Sequence, residues 1–142
     1  MLFIRLRTCL MKEIRLKFYG YTWEEYAFLI SSLKGIYIVY SGCLDAEGAV
    51  SLKDVLYVGF HNGIFDLYEK GIIKKIGPFL EDGDRLFLSY SEVPDDEFKE
   101  IIVSMINKAV CPKFSNADVS DSFNIKLICE GNCDQIPHEI TN

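Results

Sequence analysis

Two tyrosines stand in short strings of matched form, Gly35-Ile36-Tyr37 and Tyr57-Val58-Gly59, with 19 residues between them. His61 follows the second string closely, lysines stand at Lys70 and Lys74, and a carboxylate stands at Glu100 with another at Glu97. Phenol, imidazole, ammonium and carboxylate are groups that move protons or neutralise charge. Phosphodiester hydrolysis needs such groups: a base for water, a cation against the charge developing at phosphorus, and help for the leaving oxygen. Each residue also has a plain structural reading. Tyr37 and Tyr57 suit core positions with their hydroxyls at the rim. Lys70 suits a solvated helix face, His61 a loop, and Glu97 and Glu100 the first turn of a helix, where acids are favoured.

The elements that must position these residues follow from hydrophobic period. Lys12–Phe18 alternates Ile14, Leu16 and Phe18 with Glu13, Arg15 and Lys17, which predicts a strand with one wet face. Gly20-Tyr21-Thr22 reads as a turn, and Thr22 as the cap of a helix starting at Trp23 with Glu24 and Glu25 in its first turn. The two strings lie in apolar runs, 35–40 and 55–59, that read as consecutive strands joined through a polar hairpin over 41–54 and paired antiparallel. Ile64, Leu67 and Tyr68 suggest a short helix ended by Gly71. Arg85–Ser91 reads as a strand, and Phe98, Ile101, Ile102, Met105, Ile106 and Ala109 as one face of a helix opened at Pro94 and stopped by Pro112. Phe123–Cys129 alternates as a closing strand, and the polar tail over 131–142 reads as loose. The order is β-α-β-β-α-β-α-β. The implied class is α+β, a small, mostly antiparallel sheet flanked by helices.

The β-β-α-β-α core with its two strings resembles the GIY-YIG nuclease superfamily over roughly residues 35–116, with Val58 in place of the usual Ile. The segments Ile14–Tyr21 and Ser51–Tyr57 are similar to the openings of a bacterial subgroup of small GIY-YIG-like proteins. The resemblance implies that Tyr37 and Tyr57 flank a scissile phosphate. It implies that Glu100, or failing that Glu97, binds a single divalent metal, usually Mg²⁺, and that Asn116 closes the site. The family's phosphate-holding arginine falls at Leu67, and no arginine occurs between Arg15 and Arg85. A bidentate fork on the phosphate is therefore missing, and Lys70 is the nearest cation, able to act only as a point charge. His61 is a further candidate donor or acid, and Lys74 a further phosphate contact.

Composition sets the remaining bounds. At 142 residues with 49% apolar residues, the chain is long enough for one packed domain without staples. The expected organisation is an N-terminal extension over 1–11, with Met11 an alternative start, a GIY-YIG-like domain over 12–130, and the tail. No apolar run suggests a membrane span or a signal peptide. The odd set of Cys9, Cys43, Cys111, Cys129 and Cys133 reads as reduced thiols in a cytoplasmic protein. A zinc site at Cys129 and Cys133 would need two more ligands, with His138 the one histidine nearby.

Charge is uneven. Residues 1–40 carry six Lys/Arg against three Asp/Glu, and residues 41–142 carry nine against eighteen. Such an acidic balance argues against an extensive duplex-binding face, though Lys70, Lys74 and Lys75 offer a local basic patch. The expectation is a GIY-YIG-like domain with an incomplete nuclease site, a binding or regulatory module toward protein or nucleic acid. The alternative is a Mg²⁺-dependent DNA endonuclease in which Lys70 or Lys74 stands in for the arginine.

Overall fold

A computed structural model describes residues 12–23, 34–93, 98–114 and 125–141. Strands β1 (Lys12–Trp23), β2 (Gly35–Leu44), β3 (Val50–His61), β4 (Arg85–Glu92), β5 (Ile125–Gly131) and β6 (Glu139–Thr141) form one curled sheet in the order β3-β2-β4-β1-β5-β6. All neighbours pair antiparallel except β1 and β5. Helices α1 (Ile64–Glu69) and α2 (Ile72–Ile76) and a 3₁₀ turn (Gly77–Phe79) join β3 to β4, and α3 (Lys99–Val110) follows β4. The class is α+β. Among the described residues, no helix is long and apolar enough to cross a membrane.

Alternation on β2 assigns the two faces. Ile36, Ile38 and Tyr40 join an inner core with Ile101, Ile102, Met105 and Ile106 of α3. Tyr37 and Val39 point the other way, into an outer core covered by Leu67 of α1 and Ile72 and Ile76 of α2. A bulge in β3 leaves Leu56 as the extra residue between Val55, opposite Tyr40, and Tyr57, opposite Val39. The bulge turns Leu56 and Tyr57 together into the outer core.

Three expectations need correction. The Gly20-Tyr21-Thr22 turn and the helix start at Trp23 are replaced by continued strand through Trp23. β1 changes partner midway: Lys12–Phe18 pairs with β5, and Tyr19–Trp23 with β4. The ladder with β4 overrides the local turn signal. The rest of that expected helix lies outside the described residues.

The tail is not loose after residue 131. β6 pairs with β5, and Cys133, Ile136 and Ile140 are buried in the inner core. The strap between β5 and β6 crosses the curled face: Gln135 Nε2 donates to the Lys53 carbonyl of β3 at 2.7 Å, and Tyr40 Oη donates to the Asp134 carbonyl at 2.8 Å. Tyr21 Oη donates to the Asp134 carboxylate, and Ser89 Oγ to the Asn132 carbonyl. The strap thus ties the two ends of the sheet together.

The connection after β3 holds two helices rather than one. Gly71, at φ 71°, separates them instead of only ending the first. The expected strands and the second long helix are present with shifted ends, β4 as Arg85–Glu92, α3 as Lys99–Val110 and β5 as Ile125–Gly131. The expected helix opening at Pro94 and strand opening at Phe123 fall outside the described residues.

Candidate functional site

Tyr57, Gly59 and His61 stand at i, i+2 and i+4 on β3 and share the outer face. A Cβ on Gly59 would lie 2.5 Å from Tyr57 Cζ and nearer still to the hydroxyl. The missing side chain lets the phenol lie along the strand, and Tyr57 Oη reaches His61 Nε2 at 2.9 Å. His61 Nδ1 is 2.9 Å from Asp66 Oδ2 in the first turn of α1. The same carboxylate oxygen accepts the Asn62 N–H at 3.3 Å and faces Lys70 Nζ at 3.5 Å.

The protons along this chain can be assigned. Burial works to raise Asp66, but hydrogen bonds from His61 and the Asn62 N–H, with Lys70 beside them, outweigh it and hold its carboxyl below the usual range. Asp66 is thus an acceptor, and His61 Nδ1 carries a proton. Burial, the largest influence, lowers His61, and Lys70 adds to it; the Asp66 contacts oppose without reversing the shift. The imidazole is neutral, Nε2 accepts, and Tyr57 donates. Burial pushes the Tyr57 phenol up to about 12. The three side chains form a continuous hydrogen-bonded sequence with its middle member 3% exposed.

Tyr37 lies beside this chain. It faces Gly59 in register on one side and Tyr90 on the other. Its ring centroid is 6.2 Å from that of His61 and 6.3 Å from that of Tyr90. Burial raises Tyr37 to about 12 as well. Leu67 is fully buried and packs in the outer core with Tyr37 and Tyr57. The position where the resemblance expects an arginine is therefore an apolar contact. Phe114 closes the other side, its ring centroid 5.9 Å from that of Tyr57 and its backbone N–H donating to the Leu56 carbonyl at 2.8 Å.

The structure brings together Tyr37, Tyr57 and His61, and reaches Lys70 through Asp66. Lys74 is exposed on α2. Glu100 is exposed in the first turn of α3, the helix of the inner face, and has no described contact with either tyrosine. Glu97 and Asn116 lie outside the described residues. Among the described residues, no group of three or more His, Cys, Asp or Glu is gathered to hold a metal ion, and no step is assigned to one. His138 donates from Nδ1 to the Cys129 carbonyl at 3.0 Å.

Sequence reasoning missed Asp66, the residue that orients His61. The available signal was its spacing: five residues after His61, across a glycine and into the first turn of a helix. It also missed that Gly59 makes room for Tyr57. Compared with known proteins, the chain matches no family model, and neither curated proteins nor solved structures give a match.

Proposed function

We propose that the chain is a non-catalytic binding module with a GIY-YIG-like arrangement of strands and helices. One observation supports the reading: Leu67, which stands where the resemblance expects an arginine, is fully buried and packs with Tyr37 and Tyr57 in an apolar layer. A phosphate brought to these hydroxyls would lose water without gaining an arginine. Absence of one preorganised charge donor commonly costs about 10²–10³ in rate.

A second reading is favoured by the Tyr57–His61–Asp66 chain, which ends at a cation. It is a weak Mg²⁺-dependent endonuclease in which His61 handles the proton and Lys70 replaces the arginine; Glu100, the metal ligand that the resemblance implies, stands on the helix of the opposite face and speaks against it. Incubation of the purified protein with plasmid and single-stranded DNA, plus Mg²⁺ or Mn²⁺, separates the two. The binding module gives no cutting above background, alike in wild type, Tyr37→Phe and Glu100→Ala. Cutting by the wild type that either substitution removes would overturn it.

A further inference from the structure

We propose that the outer core is a one-electron redox site, in which Tyr57 gives its proton to His61 as its electron leaves along a row of tyrosines. The inference goes beyond the binding reading and stands without it.

The row follows from strand register. Tyr19 on β1 faces Tyr90 on β4, Tyr90 faces Tyr37 on β2, and Tyr37 faces Gly59 on β3. Ring centroids are 5.8 Å apart for Tyr19 and Tyr90, and 6.3 Å apart for Tyr90 and Tyr37. Both spacings lie in the contact range of aromatic pairs, about 4.5–7 Å. Gly59 has no side chain and the Tyr57 hydroxyl fills its place, so Tyr57 continues the row on the fourth strand. The row begins at the surface, where Tyr19 is 49% exposed, and ends in the buried outer core.

A phenol gives up an electron readily only when its proton can leave too, because the phenol radical cation is a strong acid. Tyr57 has a base in place, His61 Nε2 at 2.9 Å from its hydroxyl. Asp66 Oδ2 meets the Asn62 N–H and Lys70 as well as His61, which marks it as an acceptor. His61 therefore holds its proton on Nδ1 and presents the Nε2 lone pair to Tyr57. The inner-face tyrosines are less well served. Tyr40 donates to the Asp134 carbonyl, which cannot take up a proton, and Tyr21 donates to the Asp134 carboxylate, a weaker base than imidazole.

The oxidant that fits is an oxygen-centred radical, such as a peroxyl radical, meeting Tyr19 at the surface. One electron passes outward from Tyr57 through Tyr37, Tyr90 and Tyr19. The Tyr57 O–H bond breaks and an N–H bond forms at His61 Nε2. The peroxyl radical takes the electron and a solvent proton and leaves as a hydroperoxide. A neutral phenoxyl radical remains beside an imidazolium, whose bond to Asp66 is now charge-assisted. Lys17 Nζ, 5.6 Å from the Tyr19 ring centroid, disfavours positive charge at the outer end; Asp66, offset in part by Lys70, favours it at the inner end. One electron from a reductant such as ascorbate sends the proton back to Tyr57.

Photogenerated tris(bipyridine)ruthenium(III) tests this by oxidising the full chain from outside, with electron paramagnetic resonance of frozen samples as the readout. The wild type should give a tyrosyl radical coupled to an exchangeable proton, the one now on His61 Nε2. Tyr57→Phe should lose that coupled signal. His61→Gln keeps an acceptor near Tyr57 but no base, and should slow radical formation by about 10²-fold. Tyr90→Phe, at a half-buried position, interrupts the row while leaving Tyr57 and His61 in place, and should lose the Tyr57 signal. The same coupled radical in Tyr57→Phe, or formation unslowed in His61→Gln or Tyr90→Phe, would overturn the proposal. Should either of the buried variants fail to fold, Tyr90→Phe and the wild-type proton coupling decide: an unchanged signal in the first, or no exchangeable proton in the second, overturns it.

Discussion

Gly59 illustrates how one missing atom sets the chemistry of a site. Any side chain there meets the Tyr57 ring, and the Tyr57 hydroxyl then cannot reach His61. Gly59→Ala should destabilise the fold by about 1–3 kcal/mol through overpacking alone. Chemical denaturation checks the loss, and a shifted His61 ring resonance checks the broken contact. Tyr57→Phe removes the hydroxyl and leaves His61 Nε2 buried without its donor, a cost of about 1–3 kcal/mol. The two strings were legible because they are local in sequence. The Tyr57–His61 and His61–Asp66 contacts were not, because they depend on a bulge at Leu56 and on the entry angle of α1. Neither feature leaves a mark in hydrophobic period. That residue 67 is a leucine is plain in the sequence, but its burial against the tyrosines required the packed structure.

Among the elements, the strap and β6 were the part least visible beforehand. Residues 131–142 look polar because Cys133, Ile136 and Ile140 are spaced three and four apart among Asn132, Asp134, Gln135, His138 and Glu139. That spacing lets the irregular strap and the short β6 bury three side chains while the strap's polar groups bind across the sheet. β1 escaped for a related reason. Its turn residues were outvoted by pairing with β4, a segment more than 60 residues away in sequence. Where period-two alternation decides locally, as in Lys12–Phe18, or strand formers dominate, as in Arg85–Ser91, sequence and structure agree on the strand. Ile140→Ala tests the strap's role. It removes a buried side chain opposite Leu127 and should cost about 2–5 kcal/mol. If β6 fastens the strap, limited proteolysis of this variant should begin within 132–138. First cuts in the α1–α2 segment would show that the strap does not depend on β6.

For the whole molecule, the sheet divides two sets of tyrosines between its faces. Tyr21 and Tyr40 meet the strap on the inner side, and Tyr37 and Tyr57 line the outer core. Burial raises all four phenols, Tyr37 and Tyr57 to about 12. The folded chain therefore holds the neutral phenol, while the unfolded chain releases its proton near the ordinary value of about 10. Stability drawn from these groups is complete below that value. It is lost as pH rises through the window from about 10 toward about 12, because the unfolded state gives up protons that the folded state keeps. The net charge of −6 adds in the same direction as lysines neutralise and self-repulsion grows. Urea midpoints should thus hold steady between about pH 8 and about pH 9.5 and fall steeply above it. The share of phenolate absorbance that belongs to these four tyrosines should appear together with unfolding, not ahead of it. Tyr37→Phe should flatten the decline by removing one of the four shifted groups. An unchanged slope would show that Tyr37 ionises as readily in the folded protein as in the unfolded chain.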